Sequence, residues 1–374
     1  MGTDQIYTGL KSLSLSQSLA ETDIWVHVRD EEVLEVGTGP IPVLAEADQI
    51  DGAGLYLTPA FTDIHCHGGA GASFEDTDRV QTIVSAHRAV GTGQMLASLV
   101  TNPLEELKHT VAQLADAIEA QPVNERNVAG IHLEGPYLSP SHRGAHNSAF
   151  LTSPTPRQAE ELIEAAGGYL KQITLAPETD RDLAALKTFV SAGVRVAVGH
   201  TDADYATAAA AFDAGASLLT HTYNAMRPML HRAPGPIAAA LDRTHVTLEL
   251  ICDEVHVHAP TMRGLWAMAP GRVALITDAM AAACCHDGHY KLGSLDVEVK
   301  DAVARLTEGG AIAGSTLTMA RAVETAVACG LPLAEAVAAA TVIPARTIGL
   351  DAPHGYNLLD HRGRSVHVWR HTHF

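Results

Sequence analysis

Cysteine and positive charge are scarce in this 374-residue sequence. Its five cysteines are an odd number and form no Cys-x-x-Cys pair, so neither a disulfide framework nor a zinc knuckle is indicated. We therefore expect the thiols to stay reduced in a cytoplasm. The 25 Lys and Arg residues against 43 Asp and Glu give a formal net charge of -18. Such an acidic chain is not expected to bind nucleic acid or an anionic membrane, because both partners require a basic surface.

Long apolar runs and several common motifs are also missing. No run is long enough to span a bilayer, and the start of the chain does not combine basic residues with an apolar segment, so we expect neither a membrane anchor nor export. The sequence has no Walker loop, no Gly-x-Gly-x-x-Gly after a strand and no Gly-x-Ser-x-Gly elbow. P-loop nucleotide binding, dinucleotide binding and catalysis by a nucleophile elbow are therefore not indicated.

What the sequence does contain is an alternation of short apolar runs with stretches of helical spacing. The runs are AFTDIH, QMLASLV, VAGIHLEG, KQITLAPE, VRVAVGH, SLLTHTYN, VTLELICD and VALITDAM. Eight strands separated by helices predict an α/β fold, a (β/α)8 TIM-like barrel over residues 59–349. One of the intervening helices, DADYATAAAAFDA, is predicted to begin with Asp202 as its N-cap.

The two ends of the chain predict a second, smaller domain. Residues 1–58 hold β-rich pieces such as DIWVHV and EEVLEV, and residues 350–374 are again β-like. We expect these segments to form a small β-sandwich, of which the C-terminal part is shortened. Residues 281–310 are predicted to be irregular, and residues 315–330 and 332–349 to form two closing helices.

Polar side chains occupy the predicted carboxyl ends of the barrel strands, where barrels of this kind place their chemistry. They are His65, His67, Glu134, His200, His221 and Asp278. Any one of them alone is better explained as a capped or solvent-facing residue. Together they would crowd ionisable groups, which is unfavourable unless a metal ion is present.

The composition of this set suggests what it binds and does. His65 and His67 are two residues apart in a strand, so both imidazoles project from one face. Three histidines and a carboxylate suit zinc or iron, and the remaining groups allow a second ion or a proton carrier. Asp278 is the natural proton carrier, because metal-activated water needs a nearby carboxylate to take its proton. The set therefore indicates a metal-dependent hydrolase.

Several longer segments carry a family resemblance. They are HLEGPYLSPSHRGAHN, VGHTDADY, LTHTYNAMRPMLHRAPG, VHVH, LITDAMAAA and AIAGSTLTM. Between about Pro59 and Gly349 the chain resembles the N-acetylglucosamine-6-phosphate deacetylase family of the amidohydrolase superfamily. The resemblance implies that Glu134, His200 and His221 are the principal metal ligands and that His65 and His67 hold a second ion.

The resemblance also implies the remaining roles. One or two divalent ions are expected per subunit, zinc first, with iron, manganese or cobalt as alternatives, and Asp278 transfers protons. The residues expected at the substrate are Ala145, His146, Asn224, Ala225, Arg232, His256, Ile312, Ala313 and Gly314. Arg232 and His256 are the phosphate ligands, and Arg232 is expected to come from the neighbouring subunit of a homodimer. An acidic protein needs such a local basic cluster to hold a phosphomonoester.

The expected reaction is hydrolysis of the acetamide of N-acetylglucosamine 6-phosphate to glucosamine 6-phosphate and acetate. One alternative is a deacetylase of a different N-acetyl amino sugar or sugar conjugate. It rests on Ala233, where the family usually has Glu, and on Glu254, where it usually has Gly, because both lie near the expected phosphate end. A second alternative is a catalytically silent metal-binding relative, against which the intact Asp278 argues. Cys284 and Cys285 either perturb the metal site or pack beside it.

Overall fold

The computed structural model describes residues 4–13, 21–42, 47–122, 126–351, 353 and 355–369. Its largest sheets are a seven-stranded mixed sheet and an eight-stranded parallel sheet. The mixed sheet is made of β1 (Asp4–Leu13), β2 (Glu21–Arg29), β3 (Glu32–Gly37), β4 (Asp48–Asp51), β5 (Tyr56–Pro59), β19 (Tyr356–Leu359) and β20 (Ser365–Trp369). The parallel sheet is made of β6 (Phe61–Cys66), β9 (Thr92–Leu99), β10 (Val128–Glu134), β11 (Leu170–Leu175), β12 (Arg195–Val198), β13 (Leu218–Leu219), β14 (Thr247–Ile251) and β15 (Val273–Ile276).

The mixed sheet joins the two ends of the chain. Its strands run in the order β20-β19-β5-β1-β2-β3, with β4 pairing beside β5 on β1. Leu10, Val26, Leu57, Leu358 and Trp369 belong to an apolar cluster of its own, separate from the barrel core. The predicted return of the C-terminal segment to the N-terminal strands is therefore confirmed. These strands belong to one hydrogen-bonded sheet that branches at β1.

The domain limits at residues 58 and 349 remain a prediction. The structure places β5 up to Pro59 and begins β6 at Phe61. Residues 1–3, 14–20, 43–46, 352, 354 and 370–374 of the predicted small domain lie outside the described residues.

The eight predicted runs are the eight barrel strands, neighbours in the order β6-β9-β10-β11-β12-β13-β14-β15. The barrel closes between β6 and the segment that follows β15. The Asp278 N–H donates to the His65 carbonyl at 2.8 Å, and the His67 N–H donates to the Ala279 carbonyl at 2.8 Å. Below this seam, buried Asp63 accepts hydrogen bonds from the backbone N–H and the hydroxyl of Thr277. Closure therefore brings together the strand ends that carry the predicted site.

Ten α-helices are described. They are α1 (Val80–Ala89), α2 (Leu104–Glu119), α3 (Pro156–Ala165), α4 (Ala184–Ser191), α5 (Tyr205–Asp213), α6 (Gly235–Leu241), α7 (Ala259–Met268), α8 (Met319–Ala328), α9 (Leu333–Ala340) and α10 (Val342–Ile348). In α2, Leu107, Val111, Leu114 and Ile118 recur every three or four residues and are buried, which is the pattern of a helix packed on a sheet. Within the described residues, none of these helices has the length and apolar character needed to cross a bilayer.

Residues 281–310 are more regular than predicted. They contain a three-stranded antiparallel sheet of β16 (Gly288–Leu292), β17 (Leu295–Lys300) and β18 (Val303–Leu306). Positive φ angles at Gly293, Asp301 and Ala302 form its two tight turns. Asp301-Ala302 is not a typical pair for such a turn, which explains why the hairpin was missed. The two-residue strands β7 (Gly68–Gly69) and β8 (Ala72–Ser73) form a small hairpin after β6.

Two helix predictions also need correction. The second closing helix is divided into α9 and α10, because Pro344 has no N–H to continue the hydrogen-bond ladder across Thr341. The N-cap of α5 is Asp204, whose carboxylate accepts a hydrogen bond from the Thr207 N–H at 2.8 Å. Asp202 instead forms a two-point ion pair with Arg227.

Asp204→Ala should lower the free energy of unfolding by about 1 kcal/mol, because alanine accepts no hydrogen bond at the N-cap. Asp204→Asn should have nearly wild-type stability, since Asn caps helices as well as Asp does. Calorimetric midpoints at one scan rate compare the variants. The control is Asp202→Ala, which removes an exposed ion pair and should cost less. A greater loss in Asp202→Ala than in Asp204→Ala would contradict the assignment.

Candidate metal and active site

The histidine pair at the end of β6 forms one group of possible metal ligands with two carboxylates. Its members are His65, His67, Glu134 and Asp278, all buried. The Nε2 atoms of His65 and His67 are 3.1 Å apart. His67 Nε2 lies 3.2 Å from Glu134 Oε2 and 3.3 Å from Asp278 Oδ1. Side chains from the ends of β6, β10 and β15 thus meet at one place in the barrel.

Glu134, His200 and His221 form a second group. Glu134 Oε1 lies 3.1 Å from Nε2 of both histidines, and these two nitrogens are 3.0 Å apart. Because Glu134 Oε2 faces the first group, this one carboxylate belongs to both. The structure therefore brings together all six residues predicted from the strand ends.

The backbone at three of these residues is unusual. His200, His221 and Asp278 have φ angles of 46°, 26° and 50°, in the left-handed region that non-glycine residues rarely adopt. Each follows the last residue of a barrel strand by two positions. Strain of this kind is concentrated at functional sites, where the surrounding structure maintains it.

The outer nitrogens of the imidazoles indicate how each ring is protonated. The Nδ1 atoms of His67 and His200 donate to the carbonyls of Ser98 and His142, at 3.2 and 2.9 Å. In the neutral form of these two rings Nε2 is then an acceptor. His67 Nε2 lies 3.1 Å from His65 Nε2, and His200 Nε2 lies 3.0 Å from His221 Nε2. Bonds of about 2.0–2.1 Å to a common ion place nitrogen ligands roughly 3 Å apart.

The electrostatics of the site favour positive charge at this point. Burial opposes protonation of His67, but hydrogen bonds with Asp278 and Glu134 raise its pKa to about 9. Burial would likewise lower the pKa of His65, yet the charges of Glu134 and Asp278 raise it well above its usual value. Burial alone would raise the pKa of Glu134, but the surrounding imidazoles hold this pKa well below its usual value. A divalent cation supplies the charge that the carboxylates require, so the residues fit a divalent metal ion.

A cavity of about 380 Å³ opens above the two groups. Its walls include the predicted substrate residues Ala145, His146, Asn224, Ala225, His256, Ile312 and Gly314. Ala313 does not line it and packs in an apolar cluster with Leu292 and Met280. Arg232 does not line it either and lies on an exposed loop.

His146 is placed to donate a hydrogen bond into the site. Its Nδ1 accepts from the Thr101 N–H, so in the neutral ring the proton is on Nε2, which lies 3.1 Å from Glu134 Oε2. Burial lowers the pKa of His146 to about 4. This imidazole is therefore a neutral donor at the edge of the cavity.

The expected phosphate end contains His256. Its Nδ1 lies 2.7 Å from Asp253 Oδ2. Burial opposes protonation, but this hydrogen bond raises the pKa of His256 and favours the cation. Glu254 has a φ angle of 63° and is exposed, and it does not line the cavity. Its charge adds to burial in raising the pKa of the Cys329 thiol.

Several buried polar residues beneath the site were missed in the sequence. His132 hydrogen-bonds with the hydroxyls of Ser98 and Thr174, both at 2.9 Å. Glu249 contacts His65 and Gln172. The available signals were the spacing of His132 and Glu134, which share one face of β10, and a glutamate within the apolar run of β14. Cys284 and Cys285 are exposed and do not line the cavity.

Comparison with known proteins agrees with this geometry. The amidohydrolase family model matches residues 56–356. N-acetylgalactosamine-6-phosphate deacetylase of Escherichia coli O157:H7 is 36% identical over 331 residues, which are 86% of this chain and 86% of that protein. N-acetylglucosamine-6-phosphate deacetylase of Vibrio furnissii is 34% identical over 307 residues, 81% of this chain and 76% of that protein.

A solved structure supports the same family assignment. A mutant N-acetyl-D-glucosamine-6-phosphate deacetylase from Mycobacterium smegmatis, in complex with N-acetyl-D-glucosamine-6-phosphate, is 37% identical and superposes with a TM-score of 0.88. The match covers 99% of this chain and 98% of that chain. The chain therefore belongs to the amidohydrolase family and, within it, to the group that contains the N-acetylglucosamine-6-phosphate deacetylases.

Proposed function

We propose that the protein hydrolyses the acetamide bond of N-acetylglucosamine 6-phosphate and releases acetate and glucosamine 6-phosphate. The observation that carries this proposal is the position of Asp278. Its carboxylate lies 3.3 Å from His67 Nε2 and 3.5 Å from His65 Nε2, and it lines the cavity. A carboxylate beside a metal site and open to a cavity can move protons during amide hydrolysis.

The ligand groups divide into a principal and a second site. Glu134, His200 and His221 would hold the principal ion, and His65 and His67 would hold a second one with Glu134 between them. Zinc is the expected metal, with iron, manganese or cobalt as alternatives, because the donors are imidazole nitrogens and carboxylate oxygens. An ion bound there would polarise the acetamide carbonyl and lower the pKa of a neighbouring water molecule.

The protein's own residues would supply the other steps. Asp278 accepts a proton from the attacking water and delivers it to the leaving amine. His146 donates a hydrogen bond from Nε2 and orients the substrate, while Ala145, Asn224 and Ala225 contact the sugar. Ile312, Ala313 and Gly314 form the segment beside the acyl group, in which Ala313 supports the wall from behind.

The phosphate would be held by two cationic groups. His256 faces the cavity, and its bond with Asp253 favours the protonated ring. Arg232 lies outside the cavity of its own subunit, on a loop where Met229 and Leu230 are 41% and 55% exposed. We propose that this loop packs against a second copy of the chain in a homodimer and brings Arg232 to the neighbouring phosphate.

A second candidate substrate is N-acetylgalactosamine 6-phosphate, because a relative of that name shares 36% identity with this chain. The two substrates differ only in the configuration of one hydroxyl, and both present the same acetamide and phosphate. A different N-acetyl amino sugar remains the further alternative, although Glu254 does not line the cavity.

The proposal is tested by elemental analysis of the purified protein and by acetate release from three sugars. They are N-acetylglucosamine 6-phosphate, N-acetylgalactosamine 6-phosphate and unphosphorylated N-acetylglucosamine. Charge-assisted hydrogen bonds contribute about 1.5–3 kcal/mol each, so the first sugar should exceed the third by at least roughly tenfold in kcat/KM. Equal rates with and without phosphate would favour the alternative sugar. Metal-replete protein that releases acetate from none of them would be a silent relative.

Asp278→Asn should keep its metal and lower kcat by roughly 10²–10⁴-fold, because the amide cannot accept the proton while the ligand histidines remain. The measurements are kcat on the preferred sugar and metal content by elemental analysis. Asp296→Asn, an exposed change on β17, is the control for loss of charge. Near-normal turnover of Asp278→Asn would remove Asp278 from the proposed role.

Arg232→Ala should abolish most of the preference for phosphate, and co-expression with Asp278→Asn should restore part of the activity. In a symmetric dimer, statistical mixing gives about a quarter of the sites both an intact Asp278 and an intact partner Arg232. The measurement is kcat/KM of the mixed preparation against each variant alone. No recovery on mixing would show that Arg232 does not serve the neighbouring subunit.

A further inference from the structure

Glu249 is a charged residue in an apolar strand inside the barrel. It lies in the middle of β14, and all five residues of that strand are buried. The Glu249 side chain is fully buried, with 0% exposure. A buried carboxylate is costly unless hydrogen bonds satisfy its oxygens.

Three donors meet this carboxylate. Oε1 accepts a hydrogen bond from Gln172 Nε2 at 2.7 Å. Oε2 accepts from His65 Nδ1 at 3.2 Å and from the backbone N–H of His221 at 3.3 Å. One carboxylate oxygen therefore touches a member of each ligand group, since His65 belongs to the first group and His221 to the second.

The contact with His65 determines which nitrogen of that ring carries the proton. A carboxylate can only accept, so Nδ1 carries the proton and the Nε2 lone pair points toward Glu134 and Asp278. His67 and His200 instead donate to backbone carbonyls. A carboxylate partner makes an imidazole a more basic metal ligand and fixes its orientation.

The contact with His221 supports a strained backbone. His221 has a φ angle of 26°, and Glu249 binds the chain there twice, through its side chain and through its own carbonyl, which accepts from the Thr222 N–H at 2.8 Å. The turn that presents His221 is thereby held against the strand that orients His65.

We propose that Glu249 is a positioning residue that couples the two metal sites. It fixes the His65 ring for the second ion and holds the His221 turn for the principal ion. This inference rests on the proposed function only in assuming that the wild-type protein binds metal. Loss of the carboxylate charge should weaken the site at His65 more than the site at His221, because the backbone contact remains available to an amide oxygen.

Glu249→Gln isolates the charge. Gln172 Oε1 is buried and has no partner, so its amide can rotate and accept a hydrogen bond from the new glutamine. The oxygen of that glutamine can still accept from His65 and His221. The hydrogen-bond geometry is kept and only the negative charge is lost, and Glu164→Gln, an exposed change on α3, is the control for charge alone.

The test titrates chelator-stripped protein with Zn²⁺ and Co²⁺, counting bound equivalents by elemental analysis and following the visible absorption of cobalt. Wild type and Glu164→Gln should bind two equivalents, while Glu249→Gln should bind one tightly and the other roughly 10–100-fold more weakly. Two tight equivalents in Glu249→Gln would overturn the inference and leave the proposed function standing. Wild type that binds no metal would overturn both.

A double-mutant cycle separates positioning from general destabilisation. If Glu249 acts through His65, Glu249→Gln should weaken the second equivalent no further in a His65→Gln background. An additive loss would overturn the role. If Glu249→Gln does not fold, Glu249→Asp replaces it in the test. Asp keeps the negative charge, but its shorter side chain places the carboxylate farther from His65. This variant should likewise bind the second metal equivalent more weakly and the first one normally.

Discussion

The structure depends on the hydrogen bonds that join the first barrel strand to the segment after the last one. Asp63 binds Thr277 across 214 positions of sequence, and just above it the backbones at His65 and Asp278 are hydrogen-bonded. The seam lies at the carboxyl ends of the strands, so closing the barrel and bringing the histidine pair to Asp278 are the same event. A barrel that failed to close there would separate Asp278 from His65 and His67.

Three imidazoles of the site above the seam are held by hydrogen bonds at the nitrogen that faces away from the cluster. His67 and His200 donate to backbone carbonyls and His65 donates to Glu249, so their rings have little freedom to rotate. Glu134 faces both groups with its two oxygens. Preorganisation of this kind reduces the reorganisation needed when an ion binds, and it explains why so many polar groups are buried in one place.

Much of this arrangement was predictable from sequence, because a parallel barrel places the carboxyl ends of all its strands at the same face. Residues such as His200 and Glu134 were identified because each stands where an apolar run ends, and the fold brings all such ends together. Glu249 was not identified, since it lies inside a run and only tertiary contacts show what it binds. The N-cap at Asp204 and the turns between β16, β17 and β18 depend on local backbone angles. The identities of the two or three residues involved predict those angles only weakly.

Arg232 illustrates a different limit. Its residue type and neighbours predict phosphate binding, yet within its own subunit it lies on an exposed loop away from the cavity. The proposed role of Arg232 at a neighbouring phosphate depends on how two copies of the chain pack together, which the residue pattern of one chain does not determine.

The three-stranded sheet of β16 to β18 has a consequence for how such an enzyme can change. Its Leu292 lines the cavity and packs with Ala313, and Ile312 follows β18 on the same wall, whereas the six clustered polar residues lie on or directly after the barrel strands. This wall of the cavity is thus built with a unit outside the barrel that contributes none of the six clustered polar residues. Substitutions or altered turns in that unit can reshape this wall while the geometry of the clustered histidines and carboxylates is kept, so the shape of the cavity and the arrangement of those groups are free to evolve separately.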